Sequence, residues 1–533
     1  MPHWDAVLLP PTHGWSGGNF RPFPAAYARV AQWRAAGPEN DMPSMSAITG
    51  WSMAGIAAIG AAVAGDLPSR LPNAGTPAPQ TPLEDDMGRP KPLELPEDIA
   101  AKLAGVDKAK VDFLKSGVTG RYVEKDALFE RIRKGTAEEI SAYIDAMQAL
   151  HAQVEFKAGR DQASIPLDTR SPWFNAWKVR RSAALDPKRD PGPVDLTRYI
   201  GGWGGGFATF AGAPVAMTPE DLKAGKVDVA IVGAPLDMGS GWRNAIDGPR
   251  AMRMTGGAAG NDMYSMINPN AALKIVDYGD IAIDQNSTER SVDHVREMVG
   301  EIARTGAIPI VIGGDHSLEY PNVAAAADVH GKGNVSVIHF DSHYDIGRGR
   351  VHLLDHGQPV YRVLSEGHVR GSDYIQVGLR ARGPDLETFG WMRNKGMRYH
   401  TMVEVEKWGW DKVMARALKE ARENAKKLWI SFDVDVLDPA FMPGTGTPVP
   451  GGLTMREAQP IMRNLCAQND IAGIDIVEVA PYLDTSYKTA LNSNFLLNAC
   501  LAGIAMRKKG LKPGYLNPVS VDHGLDAYYG KKN

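Results

Sequence analysis

Between residues 227 and 479 the chain carries seven short, nearly uninterrupted apolar runs: VDVAIVGAP (227–235), LKIVDYGD (273–280), IPIVIGGDHS (308–317), VSVIHFDSH (335–343), YIQVGLR (374–380), KLWISFDVD (427–435) and IAGIDIVEV (471–479). A strand with one face in water alternates apolar and polar residues. Runs this continuous suit strands buried on both faces, as in a parallel sheet covered by helices. Segments with helical character, such as 288–304 and 411–426, lie between them. Alternating strand and helix predicts an α/β doubly wound architecture.

The first 190 residues have another texture. Residues 1–95 are rich in Pro, Gly and Ala, and 67–96 (LPSRLPNAGTPAPQTPLEDDMGRPKPLELP) reads as an extended arm. Residues 97–160 read as helical: Thr136 and Glu139 have capping-box spacing, and Ile140, Tyr143, Ile144, Met147 and Leu150 recur on one helical face. LDPKRDPGPVD, 185–195, punctuates the chain. The expected division is therefore an extension over 1–190 (irregular arm 1–95, helical 97–160, linker 185–195) and a chemistry-bearing domain over 191–533.

The formal net charge of −3 creates no strong field for nucleic acid or an anionic membrane. Two cysteines, Cys466 and Cys500, exclude a disulfide framework and a cysteine-based zinc site, and a reducing compartment is the simpler reading. The apolar segment 48–65 ends in Ala62-Val63-Ala64, like a signal cleavage site. It starts far from Met1, and no Lys or Arg lies between Arg34 and Arg70. It is also short for a membrane span. A buried or subunit-contacting helix in a cytoplasmic protein is the expected reading, export through 48–64 the alternative.

Three of the apolar runs end in ligand-type residues: GGDHS supplies His316, DSHYD supplies Asp341, His343 and Asp345, and SFDVDVLDP supplies Asp433 and Asp435. Strand side chains alternate faces, so 341, 343 and 345 share a side, as do 433 and 435. Sites in open parallel sheets form at the carboxyl ends of strands, where these residues fall. Each motif alone has an ordinary reading: a glycine turn with a satisfied histidine, a polar strand end, an Asp-Pro turn. In sequence they point to metal. Four crowded carboxylates would repel one another without cations. With two neutral imidazoles they balance two divalent ions, and a two-metal site makes a nucleophile of water near neutral pH. With hydroxide added the cluster is net negative, which suits a cationic substrate.

The order GGDHS, D-x-H-x-D, S-F-D-x-D-x-x-D-P resembles the ureohydrolase family of arginases, agmatinases and guanidinobutyrases over about residues 195–510, and DPAFMPGTGTPVPGGLT (438–454) is similar to its agmatinase branch. The resemblance implies a three-layer α/β/α fold around a parallel sheet, assembled as trimers or hexamers. It implies two divalent ions, manganese or alternatively nickel, and a small cationic guanidino substrate of the agmatine or guanidinobutyrate type, split to urea and an amine. Carried over, His316, Asp341, Asp345 and Asp433 would hold one ion, and Asp341, His343, Asp433 and Asp435 the other, with Asp345 also handling the proton. DHGQPVYR places a proton-shuttling histidine at His356, and DIVEVAP places the guanidinium-holding carboxylate at Glu478.

The resemblance weakens around the substrate. DMGSGWRNAIDGPRAMR (237–253) keeps Gly248-Pro249-Arg250, but Trp242, Asn244 and Asp247 depart from the arginase loop. Trp242 suits packing at least as well as substrate contact, and the two tryptophans of EVEKWGWD (404–411) suit partial burial on a helix. IGRGRVHLLDHG lacks the arginase stretch that reads an α-amino acid, which argues against arginine as substrate. Arg348 and Arg350 in it could meet a carboxylate tail, or simply be solvated. Alternatives to the small-guanidine hydrolase are a guanidine hydrolase releasing urea and ammonia, a silent subunit built on the same fold, and a one-zinc deacetylase, which the full ligand set disfavours.

Overall fold

The computed structural model describes residues 92–154, 189–198, 206–348 and 354–521. The segment 48–65, most of the stretch 67–96, and Arg350 lie outside them.

All seven apolar runs form strands: β1 (Val229–Ala234), β2 (Ile275–Asp280), β3 (Ile308–Gly313), β4 (Val335–Phe340), β5 (Tyr374–Leu379), β7 (Lys427–Asp433) and β8 (Ile471–Val477). An eighth, β6 (Arg398–Thr401), was not legible as an apolar run. It sits at the sheet edge, is four residues long and reads RYHT, too short and too polar to stand out as an apolar run. The order is β2-β1-β3-β8-β7-β4-β5-β6, parallel at every pairing.

Period-two alternation divides the strand side chains between two cores. Ile310, Ile338, Phe340, Ile430, Phe432 and Ile474 pack on one face, with residues from α7 (Trp410–Ala421), α8 (Met455–Gln468) and α9 (Lys488–Lys508). Val232, Val311, Val337, Trp429 and Val477 pack on the other, with α5 (Thr288–Arg304) and α6 (Glu319–His330). Helices on both faces of a parallel sheet make the expected three-layer fold. Helix α5 covers the span read from its spacing. Ser287 caps it, accepting from the Arg290 N–H at 3.2 Å.

Upstream, 97–154 is helical as expected: α1 (Glu97–Lys102), α2 (Lys108–Lys115), α3 (Lys125–Lys134) and α4 (Ala137–Val154). The Thr136–Glu139 capping box forms in both directions, at 2.9 and 3.2 Å. Ile140, Ile144 and Met147 join Ile99, Leu114, Leu128 and Ile132 in a cluster of their own, while Leu150 is exposed.

Helix α9 is long and apolar enough to cross a membrane, but most of it is buried in this fold. Packing against α8 brings Cys500 to Cys466 with Cα atoms 5.3 Å apart, and the two form a disulfide. This runs against the reducing-compartment reading of the two cysteines. Both are fully buried, so composition alone could not show that they meet. Denatured, unreduced protein is expected to take up no thiol-alkylating reagent, and to gain two adducts by mass after reduction. Reduction should cost about 3–4 kcal/mol of stability, from closure of a loop of 34 residues. Two adducts without reductant would show packed thiols instead.

Candidate metal centre

Four adjacent strands at the centre of the sheet, β3-β8-β7-β4, carry the site at their carboxyl ends. Asp341 follows β4, Glu478 follows β8, Asp433 ends β7, and His316 opens a tight turn beyond β3. The glycines of GGDHS have a steric reason. A Cβ on Gly314 would lie 1.6 Å from the Leu236 carbonyl oxygen, so only glycine lets the chain leave β3 beneath the loop after β1. Asp315 then caps the turn, accepting from the Ser317 N–H at 3.1 Å.

The expected ligands converge. His316 Nδ1 lies 2.9 Å from Asp341 Oδ2, 3.2 Å from Asp433 Oδ2 and 3.3 Å from Asp345 Oδ2. On the other side, His343 Nδ1 lies 2.9 Å from Asp435 Oδ2 and 3.4 Å from Asp341 Oδ1. Asp341 thus turns one oxygen to each group, as a bridging ligand would. Asp433 joins the His316 group through Oδ2, while its Oδ1 accepts from the Asp435 N–H at 2.8 Å. Ligand atoms of His316, His339, Asp341 and Asp345 fall within 4.8 Å of one another, as do those of Asp341, His343 and Asp435.

The donor set fits cations. Ser431 Oγ gives its single proton to Asp475 Oδ1 at 2.6 Å, so it accepts from His316 Nε2, 2.9 Å away. That leaves the His316 Nδ1 lone pair facing three carboxylate oxygens. Nδ1 and Asp341 Oδ2 are buried without hydrogen-bond partners. Lone pair against carboxylate repels unless a metal ion or a proton lies between. The acids respond as a crowded cluster must. Burial, then Asp435 and Asp341, push Asp433 well above the carboxylate range, and burial with Asp341 raises Asp435 to about 6. Burial would raise Asp341 too, but His316, His339 and His343 around it hold it low.

Two site residues adopt left-handed backbone, Asp345 (φ 48°) and Glu478 (φ 63°). Such conformations cost non-glycine residues on the order of 1–3 kcal/mol and cluster at functional sites. Glu478 is fully buried. Its Oε1 accepts from the His316 N–H at 3.0 Å and lies 2.9 Å from His356 Nδ1, while Oε2 has no partner. The structure thus joins His356 and Glu478, which the motifs placed in separate roles. Burial lowers the His356 pKa, but Glu478, with Asp345 and Asp315, raises it to about 9.

Several residues escaped the sequence reading. His339 precedes Asp341 by two positions and shares its side of β4; that parity was the available signal. Arg380, in an unremarked run end, donates from Nη2 to the carbonyls of Asp435 and Leu437 at 2.8 and 3.2 Å, and from Nη1 to Val436 at 3.1 Å, which pins the Asp435 turn. Ser342 holds Asp435 Oδ1 through its N–H (3.1 Å) and its hydroxyl (2.8 Å). Of the suggested tail-readers, Arg348 pairs with Glu387 at 3.4 Å and lies over the Trp391 ring, and Trp242 is more than half exposed.

The arginase-family sequence model matches residues 227–502. The chain is 34% identical to a guanidinobutyrase of Pseudomonas aeruginosa over 320 residues, 57% of this chain and 95% of the relative. It is 32% identical to the mitochondrial guanidino acid hydrolase of Homo sapiens, covering 62% of this chain and 91% of the relative. A crystal structure described as a hypothetical agmatinase from Burkholderia thailandensis superposes with a TM-score of 0.52 at 30% identity, covering 60% of this chain and 98% of that one. With its family match spanning more than half its length, and the ligand motifs gathered at the ends of β3, β4 and β7, the chain belongs to the arginase family.

Proposed function

We propose that the chain hydrolyses the guanidino group of a small guanidino compound to urea and an amine at a pair of divalent ions, manganese or alternatively nickel. The observation that carries this reading is the convergence of His316, Asp341, Asp345 and Asp433 on one side, and His343 and Asp435 on the other, beside a buried glutamate with one unpartnered oxygen. His316, Asp341, Asp345 and Asp433 would hold one ion; Asp341, His343 and Asp435 would hold the other, with Asp433 joining them only as the family resemblance implies, since its Oδ2 faces His316. When bound, the ions supply the activated water and stabilise charge as it develops. Glu478 Oε2 receives the planar cation's N–H fork, for which a carboxylate is the natural partner. Asp345 takes the proton remaining on the attacking oxygen and passes it, from Oδ1, the oxygen not turned to His316, to the departing nitrogen as its bond to the guanidinium carbon breaks. His356, tied to Glu478 through Nδ1, carries to solvent, through Nε2, the separate proton lost when water is activated.

The curated relatives include a guanidinobutyrase, guanidino acid hydrolases, agmatinases and a guanidinopropionase, which supports a guanidino compound with a short tail. The working unit is residues 191–533, in a homo-oligomer of three or six chains, with 1–190 as an extension to it. Urea release is the test. Manganese- or nickel-loaded protein is given guanidinobutyrate, guanidinopropionate, agmatine, arginine and guanidine. Urea from one of the tailed compounds, and little from arginine, is expected. Release from guanidine alone would move the reading to a guanidine hydrolase, and no urea from any would favour a silent subunit.

A further inference from the structure

One pleat below the expected ligands, a polar row crosses the buried sheet. Gln376, His339, Ser431 and Asp475 are consecutive partners in register on β5, β4, β7 and β8. All four are fully buried, in strands whose other residues are mostly apolar. Ser431 and Asp475 already have a task, since they set the proton on His316 Nε2. His339 is not explained by that chain of hydrogen bonds, and neither is the pair behind it, Glu319 on α6 and Tyr374 on β5.

His339 Nδ1 lies 3.0 Å from Glu319 Oε2 and 3.0 Å from the Tyr374 hydroxyl oxygen. Tyr374 donates its own proton to Glu319 Oε1. Both neighbours therefore present acceptor oxygens, and Nδ1 carries the hydrogen. The ring is further held in a stack on His316, centroids 4.8 Å apart and planes 8° from parallel. So fixed, it brings Nε2 to 3.2 Å from Asp341 Oδ2, the oxygen that also meets His316 Nδ1. Asp341 Oδ1 is held from the opposite side by the His343 N–H at 2.6 Å.

We propose that His339, locked by Glu319 and Tyr374, is a positioning residue that keeps the Asp341 carboxylate rotated with Oδ2 toward the His316-side ion and Oδ1 toward the His343-side ion. The inference rests on the two-ion reading of the site. A carboxylate can bridge two ions through separate oxygens only if its rotation is controlled. The backbone N–H of His343 holds one oxygen by a hydrogen bond; the imidazole, set between the carboxylates of Glu319 and Asp341 and carrying a proton on each nitrogen, places its charge 3.2 Å from the other without an aligned hydrogen bond. Partners behind a ligand typically govern metal affinity by 10- to 100-fold.

The test uses full-length protein and its manganese binding. Both binding steps are titrated against a competing chelator, and the paired ions are followed by electron paramagnetic resonance. His339→Asn is expected to weaken one of the two steps by about 10–100-fold and to change the signal of the coupled pair. Excess manganese should restore turnover, with KM for the guanidino substrate unchanged. Tyr374→Phe and Glu319→Gln remove little volume and should shift the same step in the same direction by a smaller factor. They keep the proposal testable if His339→Asn does not fold. Wild-type affinity and an unaltered signal in folded variants would overturn the proposal and leave the two-ion reading intact. A wild-type chain that binds fewer than two ions would overturn both.

Discussion

Asp341→Ala is expected to lose both metal ions and to lower turnover by on the order of 10³-fold or more, since the ions supply several kcal/mol of the catalysis. The size of the effect follows from geometry. Among the described residues, Asp341 is the carboxylate whose two oxygens reach both ligand groups, 2.9 Å from His316 Nδ1 and 3.4 Å from His343 Nδ1. Its loss would remove one member from each of the two expected ligand groups. Metal content by elemental analysis should fall from about two ions per chain to less than one. Asp433→Ala should follow it, though through a single oxygen on the His316 side. A folded Asp341→Ala chain that keeps two ions and full turnover would sink the two-metal assignment.

Glu478→Gln separates binding of the guanidinium from binding of the metal. The substitution keeps size and shape, and the amide oxygen can still accept from the His316 N–H, as Oε1 does at 3.0 Å. Where Oε2 stands unpartnered, an NH₂ would face the cation's own N–H groups. Losing a buried charge-assisted contact costs about 2–5 kcal/mol, so kcat/KM should fall roughly 30- to 5,000-fold. Manganese content should not change, because Glu478 is not among the ligands. A kcat/KM within threefold of wild type would show that another group holds the guanidinium, and loss of manganese would make Glu478 part of the metal cage.

The ligand motifs were legible because each carries its own local geometry. D-x-H-x-D and D-x-D set donor side chains close together just after an apolar run, although it is not strand alternation that aims them: Asp341, His343 and Asp345 follow β4, Asp345 is left-handed, and Asp435 lies in a tight turn after β7. The strands were legible because burial on both faces leaves continuous apolar runs. Strand β6 lacked that signature because its four residues, RYHT, form no apolar run. His339 was hidden for the opposite reason: a single polar residue inside VSVIHF does not disturb an apolar run, and only its parity with Asp341 marked it. Arg348 looked available for a carboxylate tail until the fold placed Glu387 and Trp391 against it.

By itself the sequence determined the α/β alternation, the seven apolar strands and the His and Asp motifs at three strand ends, since hydrophobic periodicity and residue spacing act within a few residues. The tertiary structure alone decided what depends on strand order. Placing β3, β8, β7 and β4 side at side brings His316 within 3.3 Å of three carboxylates and His356 to Glu478, across 122 residues of chain. It also decided the meeting of Cys466 with Cys500, and the row of His339, Ser431 and Asp475 beneath the site. Contacts between distant segments come from which strands pair and which helices cover them, and no local pattern encodes that choice.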